Sequence, residues 1–124
     1  MNRSEQVRQR NELARRAEAL IAGRLADEGY RLLGRNVRIG PHELDIVALR
    51  GDTLVICEVR CRSDATWIHP AQTLTARKQA ALRRGVAALL EHEPSLRGLS
   101  VRIDLAAVVL SGDDADVTYL EGAL

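Results

Sequence analysis

A two-residue turn, Gly51-Asp52, between two runs of strand-forming residues constrains this chain more than any other feature. Gly-X is the dipeptide that a type II′ hairpin loop favours, because the first loop position needs a positive φ. Closing the loop there sets Arg50 opposite Thr53 and fixes every cross-strand pair behind it. Residues 43–49 alternate Glu43, Asp45, Val47 and Leu49 on one face against Leu44, Ile46 and Ala48 on the other. Residues 54–62 put Leu54, Ile56, Glu58 and Arg60 on one face, and Val55, Cys57, Val59 and Cys61 on the other. In that register Asp45 faces Glu58, and Glu43 faces Arg60.

Opposed side chains on an antiparallel pair have Cβ atoms roughly 5 Å apart, and like charges there are destabilising. A divalent cation accounts for two facing acids in apolar strands, since Mg²⁺ binds through one or two carboxylates plus water and phosphate oxygens. The alternative is that both acids face solvent at a sheet edge.

The rest of the chain alternates helix and strand signals. Residues 4–28 read as a helix with Ser4 as N-cap and Gly29 as its stop. Its apolar stripe is Val7, Ala14, Ala17, Ile21 and Leu25, widened by Leu13 and Leu20, and Glu18 falls inside it. Tyr30–Ile39 reads as a strand interrupted at Gly34 by a bulge or bend, and Gly40-Pro41 turns into the hairpin. Residues 63–74 form a loop holding Trp67 and His69; Trp67 either meets substrate or caps an apolar cluster.

A second helix runs from Thr75, its N-cap, to His92, with Leu82, Val86, Leu89 and Leu90 on its apolar side. Lys78 stands at the start of that stripe. Arg77, Arg83 and Arg84 occupy the outer side, either as a solvated face or as phosphate contacts. Residues 101–110 read as a strand carrying Asp104, residues 111–116 as an acidic turn, and residues 117–121 as a last short strand. The order αβββαββ predicts one α/β domain over residues 1–124, with a mixed sheet and helices packed on it. Residues 1–11 are its fraying end and residues 12–120 its core.

Composition narrows the function classes. No run of about 18 apolar residues exists, and the first twelve residues lack the apolar core of a signal peptide, so a cytoplasmic protein without a membrane partner is expected. The net charge of +1 means that any basic surface is local. Arginine supplies all but one of the 18 basic residues, which singles out Lys78. Cys57 and Cys61 sit about 13 Å apart on one strand, too far for a disulfide, and read as core thiols. Aromatic residues are too few for a single-strand stacking platform.

Glu18, the Asp45/Glu58 pair, Lys78 and Asp104 thus interrupt apolar patterns on separate elements. Unpaired buried charges are strongly disfavoured, and convergence on one cation-binding cleft accounts for all of them.

The spacing of Asp45, twelve residues, then Glu58-Val59-Arg60 resembles the PD-(D/E)xK nuclease signature. With the helix glutamate and the βββαβ order, it resembles the restriction-endonuclease-like fold, and archaeal-type Holliday junction resolvases in particular. More closely, AEALIAGRLADEGYRLLGRNVR, HELDIVA, ICEVRCRS, LTARKQAAL and VRIDLAAV resemble the YraN-like family of bacterial proteins, over about Glu12 to Leu120. The resemblance implies an αβββαβ core with a central mixed sheet flanked by helices. It implies that Asp45 and Glu58, with the Val59 carbonyl, hold Mg²⁺ or Mn²⁺, that Glu18 completes the site directly or through water, and that Glu43 matches a family glutamate. With Arg60 and Lys78 the expected catalytic set is Glu18, Asp45, Glu58, Arg60 and Lys78; Glu43 and Asp104 are expected to support the site, and the residue pattern offers Arg77, Arg83 and Arg84 as nucleic-acid contacts.

The activity so implied is metal-dependent endonucleolytic cleavage of branched or recombination DNA, by a homodimer able to cut two strands symmetrically. The other readings are a catalytically impaired nucleic-acid-binding module and an interaction domain for a recombination or DNA-uptake ATPase. The sequence departs from the family pattern at Arg60, which stands where the motif has lysine and cannot be deprotonated. It departs again at His42 and Ala17, where glycines are expected. Lys78 is placed to supply the missing ammonium.

Overall fold

Gly51 takes a φ of +57° while Asp52 keeps a negative one, so the Gly-X turn forms as its chemistry requires. Behind it, β2 (His42–Arg50) and β3 (Thr53–Arg62) pair antiparallel from Arg50↔Thr53 to Ile46↔Cys57, the register set by that turn. The computed structural model describes residues 2–62 and 74–124. Trp67 and His69 lie outside the described residues.

The other elements are α1 (Arg3–Asp27), β1 (Arg31–Ile39), α2 (Ala76–His92), a 3₁₀ turn at Pro94–Leu96, β4 (Ser100–Ser111) and β5 (Asp114–Leu120). They build a five-stranded sheet in the order β1-β2-β3-β4-β5. All neighbours are antiparallel except β3 and β4, whose parallel pairing is bridged by the crossover that contains α2. The result is the restriction-endonuclease-like αβββαβ core, a mixed sheet flanked by helices.

Alternation along the central strands feeds two cores, one on each face. On one face Ala17, Ile21, Ala22 and Leu25 of α1 meet Ile46, Ala48, Val55, Cys57, Ala106 and Val108. On the other, Leu82, Val86 and Leu89 of α2 meet Leu44, Val47, Leu54, Ile56, Ile103 and Leu105. Each fully buried Leu, Ile or Val adds about 1.5–3 kcal/mol, so the central strands dominate the stability. Gly85 lets α2 approach β2 closely: a Cβ there would lie 3.0 Å from Leu44 Cδ2.

Several local features differ from the sequence expectation. Asn2, not Ser4, caps α1, its side chain accepting the Glu5 N–H at 2.9 Å. The helix therefore begins at Arg3. Thr75 caps α2 as expected, accepting the Lys78 N–H at 3.1 Å. The bulge in β1 falls between Leu32 and Gly34. The acidic turn contracts to Gly112-Asp113, because β5 already starts at Asp114 and pairs Ser111↔Asp114.

One difference matters more. Leu44, Ile46 and Ala48 were expected on one face, but Leu44 joins the α2 core while Ile46 and Ala48 join the α1 core. The alternation of β2 slips by one residue at Asp45.

Candidate functional site

The slip has a backbone cause. Asn36 adopts a left-handed φ of +50°, the sole non-glycine to do so among the described residues. Asparagine tolerates that region better than most residues. The β1–β2 ladder pairs Arg35↔Ile46 and Val37↔Leu44, passing over Asn36 and Asp45. On its other side β2 stops pairing with β3 at Ile46↔Cys57. Asp45 is thus bypassed by both ladders, where β2 and β3 part.

The Asp45 side chain fills the vacated position. Its Oδ2 accepts the Val59 N–H at 2.9 Å, replacing the main-chain carbonyl that a continued ladder would offer. Glu58, one residue earlier on β3, is 4% exposed. Its Oε1 lies 3.3 Å from Lys78 Nζ on α2 and 3.5 Å from Arg60 Nη2. Burial, and then the nearby Asp45 charge, push the Glu58 carboxyl up to about 7 against the pull of Lys78 and Arg60.

Glu18 reaches the same neighbourhood from α1. It is 9% exposed, and its Oε1 is buried without a hydrogen-bond partner. Burial raises its pKa first and Asp45 second, with Glu43 adding; Arg35 and the Asn36 amide oppose. Asp45 therefore raises both other carboxyls, one on each face of the sheet. Among the described residues, no three His, Cys, Asp or Glu side chains are gathered closely enough to hold a metal ion by themselves. The Asp45 and Glu58 carboxylates are the donor type that a hard cation takes together with water and phosphate oxygens.

Three expectations are corrected. Asp45 does not pair with Glu58, because the β2–β3 ladder ends at Ile46↔Cys57 and the Asp45 carboxylate takes the Val59 N–H instead. Glu43 does not face Arg60; it pairs with Arg38 on β1, in register, at 3.0 Å. The cause is the departure of β2 from β3, which carries Glu43 toward β1 and leaves Arg60 to Glu58. Arg60 Nε is buried with no partner.

Asp104 is not in the cluster. It lies opposite Cys57 in the β3–β4 ladder, completely buried, and accepts 2.9 Å hydrogen bonds from Arg102 Nε, Arg102 Nη2 and the Gly122 N–H, plus one from the Tyr119 hydroxyl. Arg102 also donates to the Tyr30 hydroxyl at 2.6 Å, and Arg50 stands 5.1 Å from that ring. Hydrogen bonding to Asp104 raises the Arg102 pKa, and burial raises that of Tyr119. Asp104 thus ties β4 to β5 and the C-terminal turn.

The remaining residues divide simply. Arg77, Arg83 and Arg84 are exposed on α2. Cys57 and Cys61 are free thiols, and burial pushes Cys57 up to about 12, so it is no nucleophile at neutral pH. Asn36 and Arg35 escaped the sequence reading. An asparagine inside a strand, a residue suited to positive φ, was the available signal.

Residues 17–108 match the Uncharacterised protein family UPF0102. A UPF0102 protein of Moorella thermoacetica is 43% identical over 108 residues, covering 86% of this chain and 89% of that protein. One from Carboxydothermus hydrogenoformans is 37% identical over 115 residues, covering 93% and 97%. One from an Arthrobacter species is 41% identical over 107 residues, covering 86% and 89%. Among the described residues, no helix is long and apolar enough to cross a membrane.

Proposed function

The chain belongs to the Uncharacterised protein family UPF0102, the YraN-like family, and from its carboxylate cluster we propose that it is a metal-dependent DNA endonuclease. The reading is resolvase-like: a cytoplasmic enzyme acting on branched or recombination DNA. The observation that carries it is Asp45, bypassed by both strand ladders and raising the pKa of Glu18 and of Glu58. A fold gains no stability from holding a second acid beside a buried carboxylate; a cation at Asp45 and Glu58 would recover the loss.

Asp45 and Glu58, with the Val59 carbonyl, would hold Mg²⁺ or Mn²⁺. Such an ion activates water at neutral pH and stabilises charge building on a phosphodiester. The Asp45 hydrogen bond to the Val59 amide fixes that carboxylate's orientation and leaves Oδ1 for other partners. Glu18 Oε1, buried and unpaired, is suited to hold and orient a water. Lys78 lies within an ion-pair distance of Glu58 and can move to a phosphoryl oxygen as charge develops there. Arg60 contributes fixed positive charge and takes no proton. Arg77, Arg83 and Arg84 would meet phosphates outside the cleft. A homodimer would present two such sites, and a recombination or DNA-uptake ATPase is a fitting protein partner.

One observation favours a second reading, a DNA-binding module without turnover, or an interaction domain. Glu58 Oε1 is already held by two cationic side chains. Incubation of four-way junction, flap and linear DNA with Mg²⁺ or Mn²⁺ separates the readings. Cleavage by the wild type, lost in Asp45→Asn, supports the enzyme. Salt-sensitive binding without cleavage, unchanged in Asp45→Asn, replaces it with the binding module; no binding to any of the DNAs leaves the interaction domain.

A further inference from the structure

α1 is 25 residues long, about 37 Å at 1.5 Å per residue, yet its buried residues begin only at Ala17. Every residue from Arg3 to Glu12 is exposed, and of residues 3–16 only Leu13 is part-buried. Among the described residues, this half sends one hydrogen bond to the rest of the chain, from Arg16 Nη2 to the Gly112 carbonyl. A helix of roughly 14 residues is marginal in water by itself. This half therefore projects with little packing of its own.

Its charge is distinctive. Residues 3–16 carry five arginines against two glutamates, while the remainder of the chain is net −2. The whole positive balance of the protein is concentrated on the projecting half. Arg3, Gln6, Val7, Gln9, Arg10 and Leu13 line one open face of the helix, with no other element against it among the described residues. Val7, Leu13 and Ala14 are too few and too small for the sustained apolar seam that a coiled-coil partner needs. Guanidinium groups on a polar face suit phosphate oxygens.

Direction supplies the second constraint. Arg16 meets the Gly112 carbonyl between β4 and β5, at the sheet end where Arg62 pairs with Val109, and the Asp45–Val59 contact lies three residues from that end, so the projecting half leaves the sheet at the carboxylate end. Arg10 and Arg3 lie about 12 and 22 Å along the axis from Glu18. Those distances correspond to roughly four to six base pairs of duplex.

We propose that the projecting half of α1 is a nucleic-acid arm whose Arg3–Arg10 face docks on the DNA phosphate backbone flanking the Asp45–Glu58 site, without reading sequence. This rests on the nuclease reading and extends it to the substrate's flank.

The test uses the full chain carrying Arg3→Gln and Arg10→Gln, both on exposed positions, with far-UV circular dichroism to verify the helix. Binding to a labelled 30-base-pair duplex and to a four-way junction is measured in EDTA across a NaCl series. Removing one arginine–phosphate pair lowers the slope of log affinity against log salt by about 0.9. The double variant is expected to lose about 2 in that slope and to bind roughly tenfold or more weakly at low salt. Wild-type binding with an unchanged slope in the variant overturns the arm and leaves the nuclease reading standing. Absence of wild-type binding overturns both. A wild-type dimer that the variant dissociates, with unchanged slope, overturns the arm in favour of a self-association face.

Discussion

The Asp45 carboxylate accepts the Val59 amide N–H at 2.9 Å, at the point where β2 and β3 have ceased to pair. A side chain thus completes a strand ladder, and the same side chain sits in the field of two buried glutamates. Asp45→Asn keeps an acceptor for Val59 and removes the charge. Its stability is expected within about 1 kcal/mol of wild type, while Asp45→Ala loses about 1 kcal/mol more for the forfeited hydrogen bond. Urea unfolding of both variants measures the difference; equal stability of the two would show that the hydrogen bond carries nothing.

Stability should depend on pH through Glu58. Its carboxyl sits near 7 in the fold against an ordinary 4.5, so the folded state binds more protons between those values. Stability is then expected to fall as pH rises from about 4.5 to 7, by up to about 3 kcal/mol from this group, and to level off above. The raised carboxyl of Glu18 adds in the same direction. Glu58→Gln should flatten the fall and be the more stable protein at pH 8. Chemical denaturation at pH 5, 6, 7 and 8 tests this, and a slope that survives in Glu58→Gln would assign it to other groups.

Cation binding should offset that fall. At pH 8, millimolar Mg²⁺ or Mn²⁺ is expected to raise the wild-type melting temperature, since a ligand of the folded state stabilises it by mass action. Glu58→Gln and Asp45→Asn should show no such rise. A rise of equal size in all three proteins would place the cation elsewhere.

Lys78 holds Glu58 at 3.3 Å from the neighbouring helix. Lys78→Met is expected to raise the Glu58 pKa further, readable by carboxyl NMR titration, and to reduce any Mg²⁺-dependent cleavage by at least tenfold. Arg60→Lys restores the motif residue and should raise cleavage if the arginine limits it. A drop would mean that Arg60 is needed where it is, against Glu58.

Asp104 should behave differently. Asp104→Asn breaks a buried bidentate pair with Arg102 and weakens the bonds from Tyr119 and Gly122. Such a loss typically costs about 3–5 kcal/mol. The Mg²⁺-dependent melting shift is expected to persist, separating this network from the cation site.

Much of this organisation was legible along the chain. A Gly-X turn, the alternation of apolar residues and the Thr75 cap are local devices, so they fixed the hairpin register near the turn, the helix that follows and the order of elements. The interruption of apolar patterns singled out Glu18, Asp45, Glu58 and Lys78, and the fold brings Glu58 into contact with Lys78 and Glu18 into the field of Asp45. What the sequence could not decide lay in places where distant segments compete for one group. Asp104 had the same apparent status as Asp45 until Arg102, Tyr119 and Gly122 were brought around it. Glu43 had two possible basic partners, and the departure of β2 from β3 gave it Arg38. That departure is itself a tertiary outcome: the left-handed Asn36 slips the alternation of the neighbouring strand, and only with β1 beside it does Asp45 come free of both ladders.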